Sequence, residues 1–536
     1  MQPILKFIIK LTASLKFWVD KILKNKQGII FMATITVDGR EIYAKDNAVL
    51  IEELLANGIN IPHFCYHPAL GKDGNCRMCM VEIEGKKRPQ IACDTPVSDG
   101  MVIRTKGENI ARVKRQILEL ELINHPIDCP ICDQAGECSL QNYYMDVGLY
   151  DSRLDTNKNK KRKHVDLGAN VMLDQDRCVL CTRCVRFTKN ITKTNELGVV
   201  VRNDHSYIST FPGTKLSNPY AMNVIDLCPV GALTSKDFRF KQRVWFLKPE
   251  VAICDGCSRG CSVNVDHNKE KYKDDIVYRY RPKYNKEING YFICDYGRLN
   301  YKKENDNRLL NAYIRGMESE FEYALLKLER LLKRHNSKAL LLISPTLSLE
   351  EMYRLKKLSQ KIDAQINGYD DNFDESFGDD FLRKSDMTPN RKSIELLNIK
   401  NSKADLIQQI KGKEFVLLIG REDVKTVEDL NFEGSLGVMN YKDFKEKDKL
   451  DIVIPTVSHT GRSGTFVNCD GFMQFSSCEI SRNIQSVKIL GFVETVLNDG
   501  IVKCEQVWSK GLEKEEFLKD ISFAEIKSKT VKIGLK

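Results

Sequence analysis

The cysteines of this chain are concentrated in one region. Fifteen of the 18 lie between Cys65 and Cys294, within a sequence of 536 residues. Clustered cysteines form disulfides in small secreted domains but bind metals or iron–sulfur clusters in reducing compartments. A chain of this length is expected to contain roughly two to five domains. The cysteines therefore indicate several metal centres in a multidomain protein.

The overall composition is that of an ordinary globular protein. A total of 83 Lys and Arg against 73 Asp and Glu gives a net charge of +10, and 42% of the residues are hydrophobic. This balance excludes disordered and collagen-like classes.

Residues 1–31 are interpreted as an N-terminal extension of the folded chain. Lysines interrupt each apolar run before about 20 residues accumulate, which argues against a transmembrane helix, and no signal-peptide cleavage pattern follows. No later segment is apolar enough to span a bilayer, so membrane association is expected to be indirect. The alternative is an amphipathic helix at a membrane surface. Its apolar face would contain Phe7, Leu11, Leu15 and Trp18.

The first domain is predicted to be a small β-grasp fold. Residues 33–44 alternate apolar and polar side chains around Asp38-Gly39, a pattern typical of a hairpin with a tight turn. Asn47 is the predicted N-cap of the short helix that follows.

The first cysteine group has the spacing C-x10-C-x2-C-x13-C. Plant-type two-iron ferredoxins share the C-x2-C core and a distant fourth thiolate, although their first gap is shorter. Glycines in the loop let backbone amides approach the cluster. The predicted ligands are Cys65, Cys76, Cys79 and Cys93.

The second group, C-x2-C-x5-C, is one ligand short of the four that a four-iron cluster needs. A helix with apolar spacing over residues 110–123 leads to His125-Pro126, just upstream of the group. In isolation His125 would be an ordinary histidine at a helix end, but beside three cysteines it completes a ligand set. An imidazole in place of a thiolate should raise the reduction potential. The predicted ligands are His125, Cys129, Cys132 and Cys138.

The third group has the spacing C-x2-C-x2-C, and a Cys-Pro pair follows after 43 residues. Bacterial two-cluster ferredoxins carry two such motifs, and the final cysteine of each motif is a ligand of the other motif's cluster. Here the positions of the second cluster hold Thr188, Asn218, Ala221 and Val224. One four-iron site therefore remains in a degenerate two-cluster ferredoxin domain. Its predicted ligands are Cys178, Cys181, Cys184 and Cys228.

The fourth group combines C-x2-C-x3-C with a cysteine that follows after 32 residues. Alone it could hold a structural zinc ion instead of a cluster. The total number of potential ligands favours a cluster over zinc, because 15 cysteines and His125 make four sites with four ligands each. The predicted ligands are Cys254, Cys257, Cys261 and Cys294. The remaining cysteines are expected to be free buried thiols: Cys469, Cys478 and Cys504.

The C-terminal part is predicted to be an α/β layer with a parallel sheet. Buried strands are expected at residues 338–343, 414–419 and 451–454, and a helix from Leu349 follows Ser348. The apolar stripe of the preceding helix, residues 321–332, is interpreted as core.

Two charged stretches are interpreted as exposed loops. Residues 155–164 (DTNKNKKRKH) form a basic linker whose alternative role is docking on an acidic partner. Residues 370–380 (DDNFDESFGDD) are acidic, and a cation or partner site is the alternative there.

No G-x-G-x-x-G fingerprint follows a strand and no P-loop motif is present, so the chain itself is not expected to bind NADH or ATP. No nucleic-acid partner is expected either. Several clusters without a substrate site indicate a relay of single electrons between partner proteins.

Three runs of sequence carry a specific resemblance: HPIDCPICDQAGECSLQ (125–141), CVLCTRCVRF (178–187) and IDLCPVGALTSKDFRFKQRVW (225–245). They resemble the large iron–sulfur subunit of NADH:quinone oxidoreductase, respiratory complex I, known as its G subunit in bacteria. The resemblance covers residues 33 to about 302. It implies one [2Fe-2S] cluster in the first group and one [4Fe-4S] cluster in each of the other three.

The resemblance also implies partners and a location. Electrons would pass from the flavin-containing NADH-binding subunit toward the quinone-site subunits, within a peripheral arm on the cytoplasmic face of the bacterial inner membrane. Residues 464–471 (GTFVNCDG) resemble molybdopterin-dependent oxidoreductases, but Tyr296 stands where such enzymes have a lysine between cluster and pterin. No pterin or molybdenum is therefore expected, and the fourth cluster is expected to be structural.

The expected fold class is α+β and multidomain. A β-grasp [2Fe-2S] ferredoxin is followed by a helical one-His-three-Cys segment, a degenerate two-cluster ferredoxin domain, a molybdopterin-oxidoreductase-type [4Fe-4S] module and a shortened α/β tail. After the extension at 1–31, the expected bounds are 32–108, 109–150, 165–246, 247–302 and 303–536.

Other classes share part of this pattern. An iron–sulfur subunit of an NAD-linked hydrogenase would share the first three groups, and a formate dehydrogenase would share the fourth group and the tail. A zinc-binding scaffold would contain zinc and no acid-labile sulfide.

Overall fold

The computed structural model of the chain describes residues 22–25, 28–147, 153, 157–202, 205–271, 273–368, 372–420, 431–482 and 484–533. The chain divides into two compact units, Met1–Val244 and Trp245–Lys536. Within the described ranges, no helix has the length and apolar character needed to cross a membrane. The alternative amphipathic helix of residues 7–18 lies outside the described residues.

The first unit opens with the predicted hairpin. Strand β2 (Gly28–Val37) pairs antiparallel with β3 (Arg40–Lys45), and Asp38 and Gly39 form its two-residue turn with positive φ at both positions. That conformation is the type I′ turn, whose twist matches the paired strands. The strand begins before residue 32, because Gly28–Phe31 also pairs with β1 (Ile22–Asn25).

The helix after this hairpin, α1 (Leu50–Ala56), is not capped by Asn47, and that prediction was wrong. Asn47 lies in a turn with φ of 59°, and Val49 occupies the N-cap without a side-chain bond. The Leu50 N–H donates instead to Thr95 O at 2.8 Å. A backbone carbonyl of the neighbouring segment therefore satisfies an amide at the start of the helix.

The remaining elements of the first unit are mostly short. In the first sheet the strand order is β1-β2-β6-β4-β5, and β3 pairs with β2. Two smaller sheets have the orders β10-β9 and β11-β8-β7. The predicted helix at residues 110–123 is α2. The elements are β4 (Met80–Ile83), β5 (Gln90–Ile91), β6 (Val102–Arg104), α2 (Glu108–Leu122), α3 (Ser139–Val147), β7 (Val165–Asp166), β8 (Val171–Leu173), α4 (Arg183–Arg186), β9 (Leu197–Arg202), β10 (His205–Thr210), α5 (Asn223–Leu227) and β11 (Leu233–Ser235).

The second unit begins with an antiparallel sheet of three strands, β12-β13-β14, followed by two short helices. Its core contains Val263, Val265 and Tyr280, together with Ile480 from the C-terminal part. The elements are β12 (Lys248–Ile253), β13 (Ser262–Lys269), β14 (Asp275–Pro282), α6 (Asp295–Leu299) and α7 (Lys302–Asn305).

The predicted α/β layer follows. Its seven strands are ordered β16-β15-β21-β20-β19-β17-β18, and the ladders from β21 to β18 are parallel. Every side chain of β17 and β19 is buried, which explains their continuous apolar sequences. The elements are β15 (Ala312–Ile314), β16 (Met317–Ser319), α8 (Phe321–His335), β17 (Ala339–Ile343), α9 (Leu349–Lys361), β18 (Gln365–Asn367), α10 (Arg391–Leu396), α11 (Lys403–Ile410), β19 (Phe415–Ile419), β20 (Ser435–Asn440) and β21 (Ile452–Pro455).

The helix predictions for this layer are confirmed. Ser348 caps α9 through a capping box with Glu351, and Ala324, Leu328 and Leu332 bury one face of α8. A second sheet of three strands and three helices complete the unit. They are β22 (Gly464–Val467), β23 (Phe472–Ser476), α12 (Ile489–Leu497), α13 (Cys504–Lys510), α14 (Phe523–Ser528) and β24 (Val531–Lys532).

Candidate metal centres

The first cysteine group occupies the loop between α1 and β4 and the turn after β5. Its four side chains, Cys65, Cys76, Cys79 and Cys93, are all buried. Cys65 Sγ lies 3.4 Å from Cys76 Sγ, and Cys93 is hydrogen-bonded to both Cys65 and Cys79. The four thiols therefore form one connected set, and four converging thiols suit a two-iron centre.

The second group converges on one cavity of about 130 Å³, which is lined by His125, Cys129, Cys132 and Cys138. Burial lowers the pKa of His125 to about 4, so the imidazole is neutral at pH 7, the form that binds a metal. A Cβ atom added to Gly231 would overlap Cys132 Sγ. The glycine therefore leaves the space that this thiol occupies.

Basic side chains hold the backbone of the second group. Lys158 Nζ donates to the carbonyls of Leu122 and His125 at 2.7 and 2.8 Å, and Arg243 Nη1 donates to Cys132 O at 2.7 Å. Residues 157–164 of the basic stretch are mostly exposed, as expected. The contact of Lys158 with the His125 backbone was not predicted, because a single lysine in a basic run gives no local signal.

An ion pair joins the second group to the third. Arg177, which precedes Cys178, donates to both carboxylate oxygens of Asp128 at 3.0 and 2.7 Å, and Asp128 precedes Cys129. Burial alone would raise the pKa of Asp128, but the hydrogen bonds and charge of Arg177 lower it below its ordinary value. The two cysteine loops are thus fixed to each other by a bidentate contact.

The third group lines one small cavity with Cys178, Cys181, Cys184 and Cys228. Positive φ angles at Leu180 and Thr182 turn the backbone around this cavity. Burial raises the pKa of Cys178 and of Cys181 to about 12, so thiolates here would need the compensating positive charge of a bound metal centre.

The positions expected for a lost second cluster are filled by packed side chains. All four are buried, and Thr188 Oγ1 donates to Val185 O at 3.0 Å. The residues are Thr188, Asn218, Ala221 and Val224.

The fourth group surrounds two glycines. Gly297 N–H donates to Cys294 Sγ at 3.3 Å, and Gly256 N–H donates to Cys254 Sγ at 3.4 Å. A Cβ added to Gly297 would lie 2.9 Å from Cys254 Sγ and 3.4 Å from Cys294 Sγ, so only glycine leaves room for both sulfurs. These two N–H groups stabilise the thiolate form of the cysteines to which they donate. The buried side chains of the group are Cys254, Cys257, Cys261 and Cys294.

The α/β tail closes one side of the fourth group. Ser258 N–H, next to Cys257, donates to Asp386 O at 2.8 Å, and Cys469 N–H donates to Ser258 O at 3.0 Å. Burial raises the pKa of Cys257, and an N–H of Lys384 opposes that shift by donating to its sulfur. The loop that carries Lys384 and Asp386 follows the acidic stretch, whose residues 372–376 are exposed as predicted.

Aromatic and basic side chains surround Tyr296, which lies two residues after Cys294. The Tyr296 ring packs against Phe377 with a centroid distance of 5.1 Å, and Arg383 lies 4.8 Å from the Phe377 centroid. Lys303 Nζ lies 5.3 Å from the centroid of the Tyr296 ring and donates to its hydroxyl at 3.4 Å. The Lys303 ammonium group of α7 (Lys302–Asn305) therefore lies beside the Tyr296 ring.

The prediction of three buried tail thiols was wrong for one of them. Cys478 and Cys504 are buried, whereas Cys469 is exposed. Cys469 lies in the turn between β22 and β23, where Asn468 Oδ1 accepts the N–H groups of Asp470 and Phe472. That turn directs the backbone bonds inward and leaves the thiol at the surface.

Three family models match the first unit. Residues 32–108 match the 2Fe-2S iron-sulfur cluster binding domain, and residues 114–153 match the NADH-ubiquinone oxidoreductase-G iron-sulfur binding region. Residues 168–234 match the ferredoxin-like domain of NADH-quinone oxidoreductase subunit 3. The chain therefore contains ferredoxin-like 2Fe-2S and 4Fe-4S binding domains within a mixed α/β fold.

Among curated proteins, the chain is similar to the G subunit of NADH-quinone oxidoreductase. The Streptomyces coelicolor protein is 38% identical over 296 residues, which cover 55% of this chain and 34% of that protein. The Rickettsia felis protein is 36% identical over 351 residues, covering 64% and 51%. This chain thus spans about a third to a half of the length of these relatives.

Among solved structures, an NAD+-reducing [NiFe]-hydrogenase in the H2-reduced state is 32% identical to this chain. The match has a TM-score of 0.36 and covers 40% of this chain and 91% of that one.

Replacing Gly231 with alanine tests whether Cys132 is a ligand. A free thiol can rotate away from the added Cβ at little cost, whereas a sulfur bonded to iron cannot, so we expect Gly231→Ala protein to lose one cluster's iron and acid-labile sulfide. Gly198→Ala is the matched control, because no atom lies within 4 Å of the Cβ position there. Full iron content in both variants would contradict ligation by Cys132.

Proposed function

We propose that this chain, whose iron–sulfur region is similar to the G subunit of NADH-quinone oxidoreductase, is an electron-transfer subunit of an NADH:quinone oxidoreductase. The observation that carries the proposal is the convergence of its histidine and cysteines into four separate groups of mostly buried side chains. The proposed ligands are the 16 residues of those groups. The first group would hold a [2Fe-2S] cluster and each of the others a [4Fe-4S] cluster.

The clusters, when bound, take up and release single electrons. The protein supplies ligands, spacing and local charge. Burial of the thiols excludes water from the sites, and the amides of Gly256 and Gly297 stabilise negative charge on sulfur. Neutral His125 leaves the second site one negative charge less than an all-thiolate site, which should raise its reduction potential.

The proposed domain bounds are 32–108, 109–150, 165–246, 247–302 and 303–536. By analogy with the named relatives, the partners are the flavin-containing NADH-binding subunit and the quinone-site subunits of a peripheral arm. The proposed location is the cytoplasmic face of a bacterial inner membrane, reached through those subunits. No pterin or molybdenum is proposed, since Tyr296 and Phe377 occupy the region beside the fourth group.

The alternative is an iron–sulfur subunit of an NAD-linked hydrogenase or formate dehydrogenase. A molybdenum enzyme would be identified by molybdenum or tungsten with a bound pterin in the purified protein. An NAD-linked hydrogenase would be identified by copurification with a nickel-containing subunit.

The proposal is tested by counting clusters. We expect purified protein to give low-temperature electron paramagnetic resonance signals of one [2Fe-2S] and three [4Fe-4S] clusters, with matching iron and acid-labile sulfide. Two clusters or fewer, or zinc without sulfide, would refute the assignment.

His125 is tested by exchange for cysteine. Because a thiolate adds negative charge where a neutral imidazole stood, His125→Cys should keep a cluster at the second site and lower its midpoint potential in a redox titration. His164→Cys, at an exposed histidine, is the control. An unchanged spectrum and potential in the His125 variant would identify a bystander.

The fourth site is proposed to stabilise the second unit. A cluster that binds only the folded state adds its binding free energy to folding, so Cys257→Ala protein should lose iron and unfold at a lower temperature in calorimetry. Cys469→Ala removes an exposed thiol of the same unit and should melt like the wild type. Loss of the fourth cluster without a change in melting would contradict this role.

A further inference from the structure

The ligand loops of the first and third groups are in direct contact within the first unit. The contact is made by the segment 181–186 (CTRCVR), which carries two third-group cysteines and two arginines. Both arginines reach the first-group loop, 115 to 121 residues away in sequence. Their targets are backbone carbonyls, so the contact does not depend on the side chains of that loop.

Arg186 binds ligand residues of both groups. Its guanidinium donates to the carbonyl of Cys65 in the first group and, at 3.4 Å, to that of Cys181 in the third. The other terminal nitrogen donates to Leu70 O at 3.0 Å and Gly71 O at 2.8 Å. One side chain therefore fixes the first-group loop at two places and connects it to a third-group cysteine.

Two further side chains cross the same contact. Arg183 donates to Tyr66 O at 2.6 Å and to Leu227 O at 3.2 Å, and these residues adjoin Cys65 and Cys228. In the opposite direction, Asn75 donates to Leu180 O at 2.9 Å. Each of the two loops therefore contributes a side chain that binds a backbone carbonyl of the other loop.

We infer that Arg186 is a positioning residue that sets the separation and orientation of the first and third centres and thereby the rate of electron transfer between them. This inference rests on the proposed function. In the transfer, one of the two centres loses one electron and the other gains it, and no bond forms or breaks. Because electron tunnelling slows steeply with distance, a loop displacement of about an ångström would reduce the rate substantially.

The geometry requires arginine rather than any cation. A guanidinium presents five N–H donors in a fixed plane, whereas an ammonium is a point charge on a flexible stem. Lysine at position 186 would keep the positive charge but could not bind the Cys65, Leu70 and Gly71 carbonyls in one rigid arrangement. The Arg186→Lys variant therefore shows whether the effect of Arg186 comes from its hydrogen-bond geometry or only from its positive charge.

The test uses the full chain with its clusters, within its complex. In the dithionite-reduced complex, the magnetic interaction between the two centres is measured as relaxation enhancement of the [2Fe-2S] signal. The transfer rate is measured separately, by rapid freezing at a series of times after partial reduction. We expect Arg186→Met to keep all clusters, to weaken the interaction and to slow transfer about tenfold or more. Arg186→Lys should keep the wild-type midpoint potentials but restore neither the interaction nor the rate.

Arg115→Met, at an exposed position of α2, is the control and should behave as the wild type. An unchanged interaction in Arg186→Met, or full recovery in Arg186→Lys, would overturn the inference. If Arg186→Met fails to assemble, Arg186→Lys decides: a weakened interaction at wild-type midpoint potentials supports the inference, and an unchanged interaction refutes it. Wild-type protein with both signals but no interaction would refute this inference alone, whereas absent signals would also refute the proposed function.

Discussion

Basic side chains bound to backbone carbonyls are the interaction on which the iron–sulfur part of this chain depends. A loop that presents three or four thiols inward has few apolar side chains with which to close itself. Lys158 at the His125 carbonyl, Arg243 at that of Cys132 and Arg186 at that of Cys65 supply the missing support. Arg186 also acts through its charge: burial raises the pKa of Cys181, and the positive charge of Arg186 opposes that shift.

The local elements were largely predictable because their signals are local. The Asp38-Gly39 turn, the helix that starts after Ser348 and the buried strands β17 and β19 follow from turn chemistry and apolar runs. Cysteine spacing likewise predicted which thiols come together, since each group combines closely spaced residues with one distant partner. The errors at Asn47 and Cys469 arose where backbone hydrogen bonds of a turn, invisible in the sequence, set the conformation.

The contacts between groups could not be predicted. Arg186 and Cys65 are 121 residues apart, and a guanidinium that binds carbonyls places no requirement on the side chain of its partner. Such a contact leaves no spacing or periodicity to recognise. Arg177 and Asp128 form a similar link, 49 residues apart, between the second and third groups. The membership of each cysteine group is thus encoded mainly by local spacing, whereas the contacts between the loops depend on arginines that are distant in sequence.

The fourth group adds two other kinds of support to an arginine on a carbonyl. Arg259, between Cys257 and Cys261, donates to Ile288 O at 2.8 Å. In addition, backbone bonds join Ser258 to Asp386 and Cys469, and Tyr296 packs on Phe377. The loop around Phe377 belongs to the α/β tail, so a fold that keeps this cysteine group must also keep that part of the tail. Tyr296 and Phe377 add aromatic contact beside the cysteine group, and Lys303 approaches from α7. The α/β tail therefore forms part of the surroundings of the fourth group.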